Sequence, residues 1–120
     1  MISFNSYGDI VLYCQDEVST GFIKKNQSWK QSAFIVQRYT IKFNDDYSSL
    51  SLDEVNVNLP CEYAFGIDDF NTLVCSSDDG MNFIYDFVKK RYVFNKSSIF
   101  GYIKEGPDSD YMSIGTCQNF

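Results

Sequence analysis

Apolar residues recur along this chain with a period of two, and no window of twelve residues carries a 3.6-residue apolar stripe. Residues 34–43 alternate most clearly. Ile35, Gln37, Tyr39, Ile41 and Phe43 share one face; Phe34, Val36, Arg38, Thr40 and Lys42 share the other. Val55, Val57 and Leu59 alternate with Asn56 and Asn58 until Pro60 ends the run. Shorter candidates occupy 10–14, 22–24, 63–67, 72–76, 82–88, 92–95, 99–104 and 111–114. β-branched and aromatic residues fill them, which suits a pleated, half-buried surface.

Turn-forming residues separate these runs: Asn44-Asp45-Asp46, Asp68-Asp69, Asp78-Asp79-Gly80, Lys89-Lys90-Arg91, Asn95-Lys96 and Glu105-Gly106-Pro107-Asp108. The stretch 73–94 reads as a three-stranded meander with Lys89-Lys90-Arg91 at a hairpin tip. Residues 28–33 and 67–71 could each hold one helical turn. The expectation is a mainly β chain, a single antiparallel β domain over 1–120, built as a barrel or sandwich, with room for one short helix. Eleven Phe, nine Tyr and one Trp supply its core.

Charge narrows the partners. Between Lys42 and Lys89 stand ten carboxylates and no basic residue: Asp45, Asp46, Asp53, Glu54, Glu62, Asp68, Asp69, Asp78, Asp79 and Asp86. A like-charged run of that length would normally repel itself into disorder. Here Leu50, Leu52, Val55, Val57, Leu59, Phe65 and Phe83 interleave it, so it folds. A one-signed field of this kind attracts cationic surfaces and repels phosphate polymers and anionic membranes. Neither direct nucleic-acid binding nor membrane binding is expected.

Catalytic chemistry has little to work with. The absence of histidine removes Ser-His and Cys-His nucleophile pairs and the commonest metal ligand. No phosphate-cradling glycine pattern and no calcium loop occur. The acid pairs Asp68/Asp69, Asp78/Asp79 and Asp108/Asp110 all fall in turns, where carboxylates cap N–H groups. The expectation is a protein that is not an enzyme, with no cofactor and no metal. Cys14, Cys61, Cys75 and Cys117 lack paired metal-site spacing and sit in or beside apolar runs. They read as small core residues of a reducing compartment; two disulfides would require export. Met1-Ile2-Ser3-Phe4-Asn5 shows no basic segment followed by an apolar core, so the expected setting is cytoplasmic.

One local motif stands out. Ser76-Ser77-Asp78-Asp79-Gly80-Met81-Asn82-Phe83 resembles the Asp box, a hairpin turn in which Ser76, Asp78, Gly80 and Phe83 take the matching places. The resemblance implies a structural turn, with Asn82 departing from the Thr often found before the aromatic. In general character the chain resembles the small acidic immunity proteins of bacterial toxin–immunity systems. No motif carries that resemblance; size, charge and absent chemistry do. It implies a non-catalytic protein that neutralises a basic, nuclease-like partner. Asp45, Asp46, Glu62, Asp68, Asp69, Asp78 and Asp79 would form the rim, and Trp29 an aromatic anchor. The alternatives are a phosphate-mimicking inhibitor of a nucleic-acid-binding defence protein and a carbohydrate-binding β module.

Overall fold

The computed structural model describes residues 9–52 and 57–119. Met1-Ile2-Ser3-Phe4-Asn5, Val55, and the carboxylates Asp53 and Glu54 lie outside the described residues. The strands are β1 (Asp9–Lys25), β2 (Ser28–Ala33), β3 (Arg38–Asn44), β4 (Ser49–Leu52), β5 (Val57–Tyr63), β6 (Thr72–Ser76), β7 (Met81–Asp86), β8 (Arg91–Lys96) and β9 (Asp110–Asn119). All neighbouring strands are antiparallel. The order is β2-β1-β3-β4-β5-β6-β7-β8-β9, and β9 pairs back onto β1. Eight strands therefore close a barrel, and β2 stays outside the ring.

β1 explains this arrangement. One of its edges pairs with β9 from Leu12↔Asn119 to Phe22↔Asp110. The other pairs with β3 along Asp9–Gln15, then with β2 along Thr20–Lys25. β2 and β3 thus share one edge in succession. Residues 34–37 form the step between them, so the strand expected over 34–43 begins only at Arg38. Phe34 N–H bonds Ser19 O at 2.9 Å, and Ile35 is 85% exposed there. The possible helical turn at 28–33 is instead β2, because Asn26 and Gln27 adopt positive φ (52° and 71°) and make a two-residue hairpin turn. Residues 67–71 contribute one 3₁₀ turn, Gly66–Asp68. The strand expected at 99–104 is a wide turn at Ile99–Ile103: Asp110 accepts N–H bonds from Ser98 (2.8 Å) and Tyr102 (3.2 Å), curling the chain. Among the described residues there is no α-helix and no helix able to cross a membrane.

Alternation delivers the core. Tyr39, Ile41 and Phe43 of β3, Leu50 and Leu52 of β4, and Leu59 of β5 point inward. They meet Phe83, Tyr85, Tyr92 and Phe94 of the meander. Barrel closure sets Cys14 opposite Cys117, and the β5–β6 register sets Cys61 opposite Cys75. Both pairs are disulfides, where the sequence reading had free core thiols. Spacing along the chain could not foresee this, since register decides which cysteines face each other.

β9 crosses β1 at a bulge between Asp16 and Val18. A Cβ on Gly115 would lie 2.2 Å from the Gln15 carbonyl oxygen and 2.6 Å from the Tyr92 phenol oxygen. Backbone on one side and a buried ring on the other cannot give way cheaply. Gly115→Ala is expected to cost about 1–3 kcal/mol in denaturant unfolding; an unchanged midpoint would show that this crossing is looser than the geometry states.

Candidate interaction surface at one end of the barrel

An antiparallel meander sends alternate turns to opposite ends. The β3–β4, β5–β6 and β7–β8 turns share one end; the β6–β7 turn, the β8–β9 loop and the β1–β2 hairpin share the other. This topology sorts the candidate residues. Asp45, Asp46, Asp68 and Asp69 share the first end, and Glu62 points outward near the end of β5. Asp78, Asp79 and Trp29 go to the far end.

At the first end the turns are built by their own acids. Asp46 accepts the Ser48 N–H at 3.0 Å, and Asn44 accepts the Ser49 N–H at 3.0 Å. Hydrogen bonding from Ser48, side chain first and then backbone, holds the Asp46 carboxyl below its ordinary value. Asp69 accepts the Asn71 N–H at 2.8 Å. Asp45, Asp46, Glu62 and Asp68 are exposed, and Asp69 half-buried. Beneath them, Tyr47 and Phe87 meet edge-on at 5.0 Å and cover Phe43.

Two further aromatics are largely exposed. Phe65 is 67% exposed and Phe70 56% exposed; Phe70 packs edge-on against Tyr63 at 4.9 Å. Both lie in the β5–β6 turn that carries Asp68 and Asp69. Sequence reasoning counted them as core supply. The available signal was their company: Phe65 precedes Gly66, whose φ is +75°, and Phe70 sits between Asp69 and Asn71. The Lys89-Lys90-Arg91 cluster shares this end on the β7–β8 side, next to Asp86. The Asp86 carboxylate accepts the Lys89 N–H at 2.7 Å, and Arg91 is its cross-strand partner. The rim over β3–β6 is acidic, and the rim over β7–β8 is mixed.

The far end is different. Lys24, Lys25, Lys30, Lys96 and Lys104 come to it with the hairpin and the β8–β9 loop, and Asp78, Asp79, Glu105, Asp108 and Asp110 come with them, so its charges are mixed. Trp29 is half-buried and meets Tyr102 edge-on at 5.7 Å. With Phe22, Ile103, Ser98 and Asp110 they line a cleft of about 520 Å³. The Asp-box-like segment is the β6–β7 turn: Ser77 Oγ bonds Asp79 and accepts the Met81 N–H at 3.2 Å. Gly80 (φ +107°) lies where a Cβ would fall 2.0 Å from Ser97 O. Asp79, one place beyond the expected Asp78, makes the turn contact, and Phe83 packs in the core.

Fold and surface together define a single-domain, eight-stranded antiparallel β-barrel, one end of which has an acidic, aromatic-bearing rim over β3–β6. Compared with protein-family models, curated proteins and solved structures, the chain matches none.

Proposed function

We propose that this barrel is a non-catalytic binding protein that neutralises a basic protein partner, in the manner of an immunity protein blocking a nuclease-like toxin. The observation that carries the reading is the pair of exposed rings, Phe65 and Phe70, in the turn that carries Asp68 and Asp69, at the barrel end shared with Asp45 and Asp46 and next to Glu62 of β5. Desolvated aromatic anchors supply affinity, while surrounding carboxylates steer a cationic partner and set its orientation. The same carboxylates repel phosphates, so the partner is a basic protein and not the nucleic acid it would act on. Asp78, Asp79 and Trp29 stand at the far end, where lysines and acids are mixed, and lie outside this rim.

The compartment bears on the partner. A cytoplasmic setting requires the facing cysteine pairs to stay reduced. Bridged as Cys14–Cys117 and Cys61–Cys75, they favour an encounter in an oxidising compartment.

The test is capture of products of neighbouring open reading frames on the immobilised protein, followed by titration at rising salt. Affinity is expected to fall by at least about tenfold from low to moderate ionic strength. Phe65→Ala with Phe70→Ala should cost about 2–4 kcal/mol of binding, while Asp78→Asn with Asp79→Asn leaves it unchanged. A salt-independent complex, or one weakened only from the far end, overturns the proposal.

A second reading rests on the far-end cleft. Trp29 and Tyr102 beside Ser98 and Asp110 offer rings and polar groups to a sugar. Quenching of Trp29 fluorescence by oligosaccharides would support it, and silence across a glycan panel would end it.

A further inference from the structure

The bulge in β1 turns Asp16 into the barrel, while Glu17 and Val18 stand outward. Asp16 is 3% exposed. One carboxylate oxygen accepts the Tyr92 phenol at 2.6 Å, and the other accepts the Gln37 N–H at 3.0 Å. Both donors are neutral. Burying a carboxylate with neutral donors alone costs free energy that an opposite charge would offset. Its oxygens offer roughly four acceptor positions, so two hydrogen bonds do not exhaust them.

Asp16 also lines a cleft of about 330 Å³ together with Ser19, Phe34, Tyr39 and Tyr111, and neither Lys nor Arg stands among the lining residues. Phe34, from the step between β2 and β3, stacks on Tyr111 at 5.2 Å and forms an aromatic wall. Ser19 Oγ, held by the Ser113 hydroxyl at 2.8 Å, is a second oxygen in the same cleft. Burial, and then the Asp16 charge, push the Tyr111 phenol above its ordinary value. Burial does the same to Tyr92, aided by its hydrogen bond to Asp16, so Tyr92 remains the donor.

We infer that this cleft binds a primary alkylammonium group, with Asp16 as counter-charge, Ser19 as second acceptor and the tyrosine rings as a cation–π wall. One carboxylate matches one positive charge; a divalent metal would need several more oxygen ligands. A guanidinium needs a free carboxylate edge for its paired bonds, and Tyr92 and Gln37 already occupy one position on each oxygen. An ammonium directs its three donors to separate oxygens, and its charge is attracted to ring faces. The site is independent of the acidic end. The ammonium can belong to a free amine or to a lysine side chain presented by another chain.

The test is calorimetric titration of the whole protein with n-butylammonium, with n-butanol as the neutral isostere and n-butylguanidinium as the planar cation. Butylammonium should saturate one site and bind at least about tenfold tighter than either comparator. Asp16→Asn should abolish that preference with the circular dichroism of the sheet unchanged. Should Asp16→Asn fail to fold, Ser19→Ala should lower the affinity several-fold. Equal binding of butanol, retained binding in Asp16→Asn, or no saturable heat with the native protein overturns the inference. Titration of a lysine-containing peptide then assigns the source: tighter binding than butylammonium points to a presented side chain, weaker binding to a free amine, and either upholds the ammonium site.

Discussion

Replacing Cys14 and Cys117 together with serine is expected to lower stability by about 4–5 kcal/mol, against about 3 kcal/mol for the Cys61 and Cys75 pair. The difference follows from the chain enclosed by each bridge. Cys14–Cys117 spans 103 residues and ties β1 to β9, the seam at which the ring closes. Cys61–Cys75 spans 14 and ties two strands already joined by one turn. Cross-linking distant residues removes more unfolded-state entropy than cross-linking near ones. All four side chains face the core side of their strands, so each serine also brings a hydroxyl into an apolar setting. Urea unfolding of the two double variants, beside the native protein with and without reductant, measures the effect. Equal losses from the two pairs would refute the loop-closure account. Denatured, unreduced protein should resist alkylation, and reduced protein should take up four labels.

Phe43→Ala should be the most damaging single core truncation near the acidic end, at about 3–5 kcal/mol. Phe43 is fully buried and meets Tyr47, Tyr85 and Phe87 at centroid distances of 5.3, 6.3 and 6.2 Å. Tyr47 and Phe87 belong to the turns at that end, so the void removes support from the turn that carries Asp45 and Asp46. Loss of stability should therefore be accompanied by weaker partner binding even at temperatures where the variant is folded. The unfolding midpoint and the affinity of the folded variant check the two parts. A cost below about 1 kcal/mol would mean that the neighbouring rings collapse into the space.

The β class was legible because alternation and turn chemistry agreed over most of the chain. Tyr39, Ile41 and Phe43 were placed on one face by spacing alone, and that face is the core. Alternation could not say where β3 starts, because Ile35 and Gln37 continue the pattern outside the sheet. β4 escaped notice: four residues, Ser49–Leu52, are too short for periodicity to register. On the opposite wall, inside and outside could not be told apart. Val18, Ile114, Val93, Ile84 and Val74 form a cross-strand row on the outer face of β1, β9, β8, β7 and β6. Both faces of those strands are apolar there.

For the site, charge in the middle third was legible and its distribution was not. Which acids come together depends on which end each turn reaches, and that parity needs every strand counted. The missed β4 carries the chain from the β3–β4 turn at one end to the other. Asp16 was equally hidden, since a bulge of one residue decides whether it or Glu17 faces inward.

The seam between β1 and β9 also dictates an order of events during biosynthesis. Contacts at such sequence separation form late and close slowly. A nascent chain holds β1 without that partner until β9 has left the ribosome, with Leu12 and Cys14 uncovered meanwhile. β2 can pair early through its two-residue turn and shield one edge of β1, leaving the other as the surface a chaperone would guard.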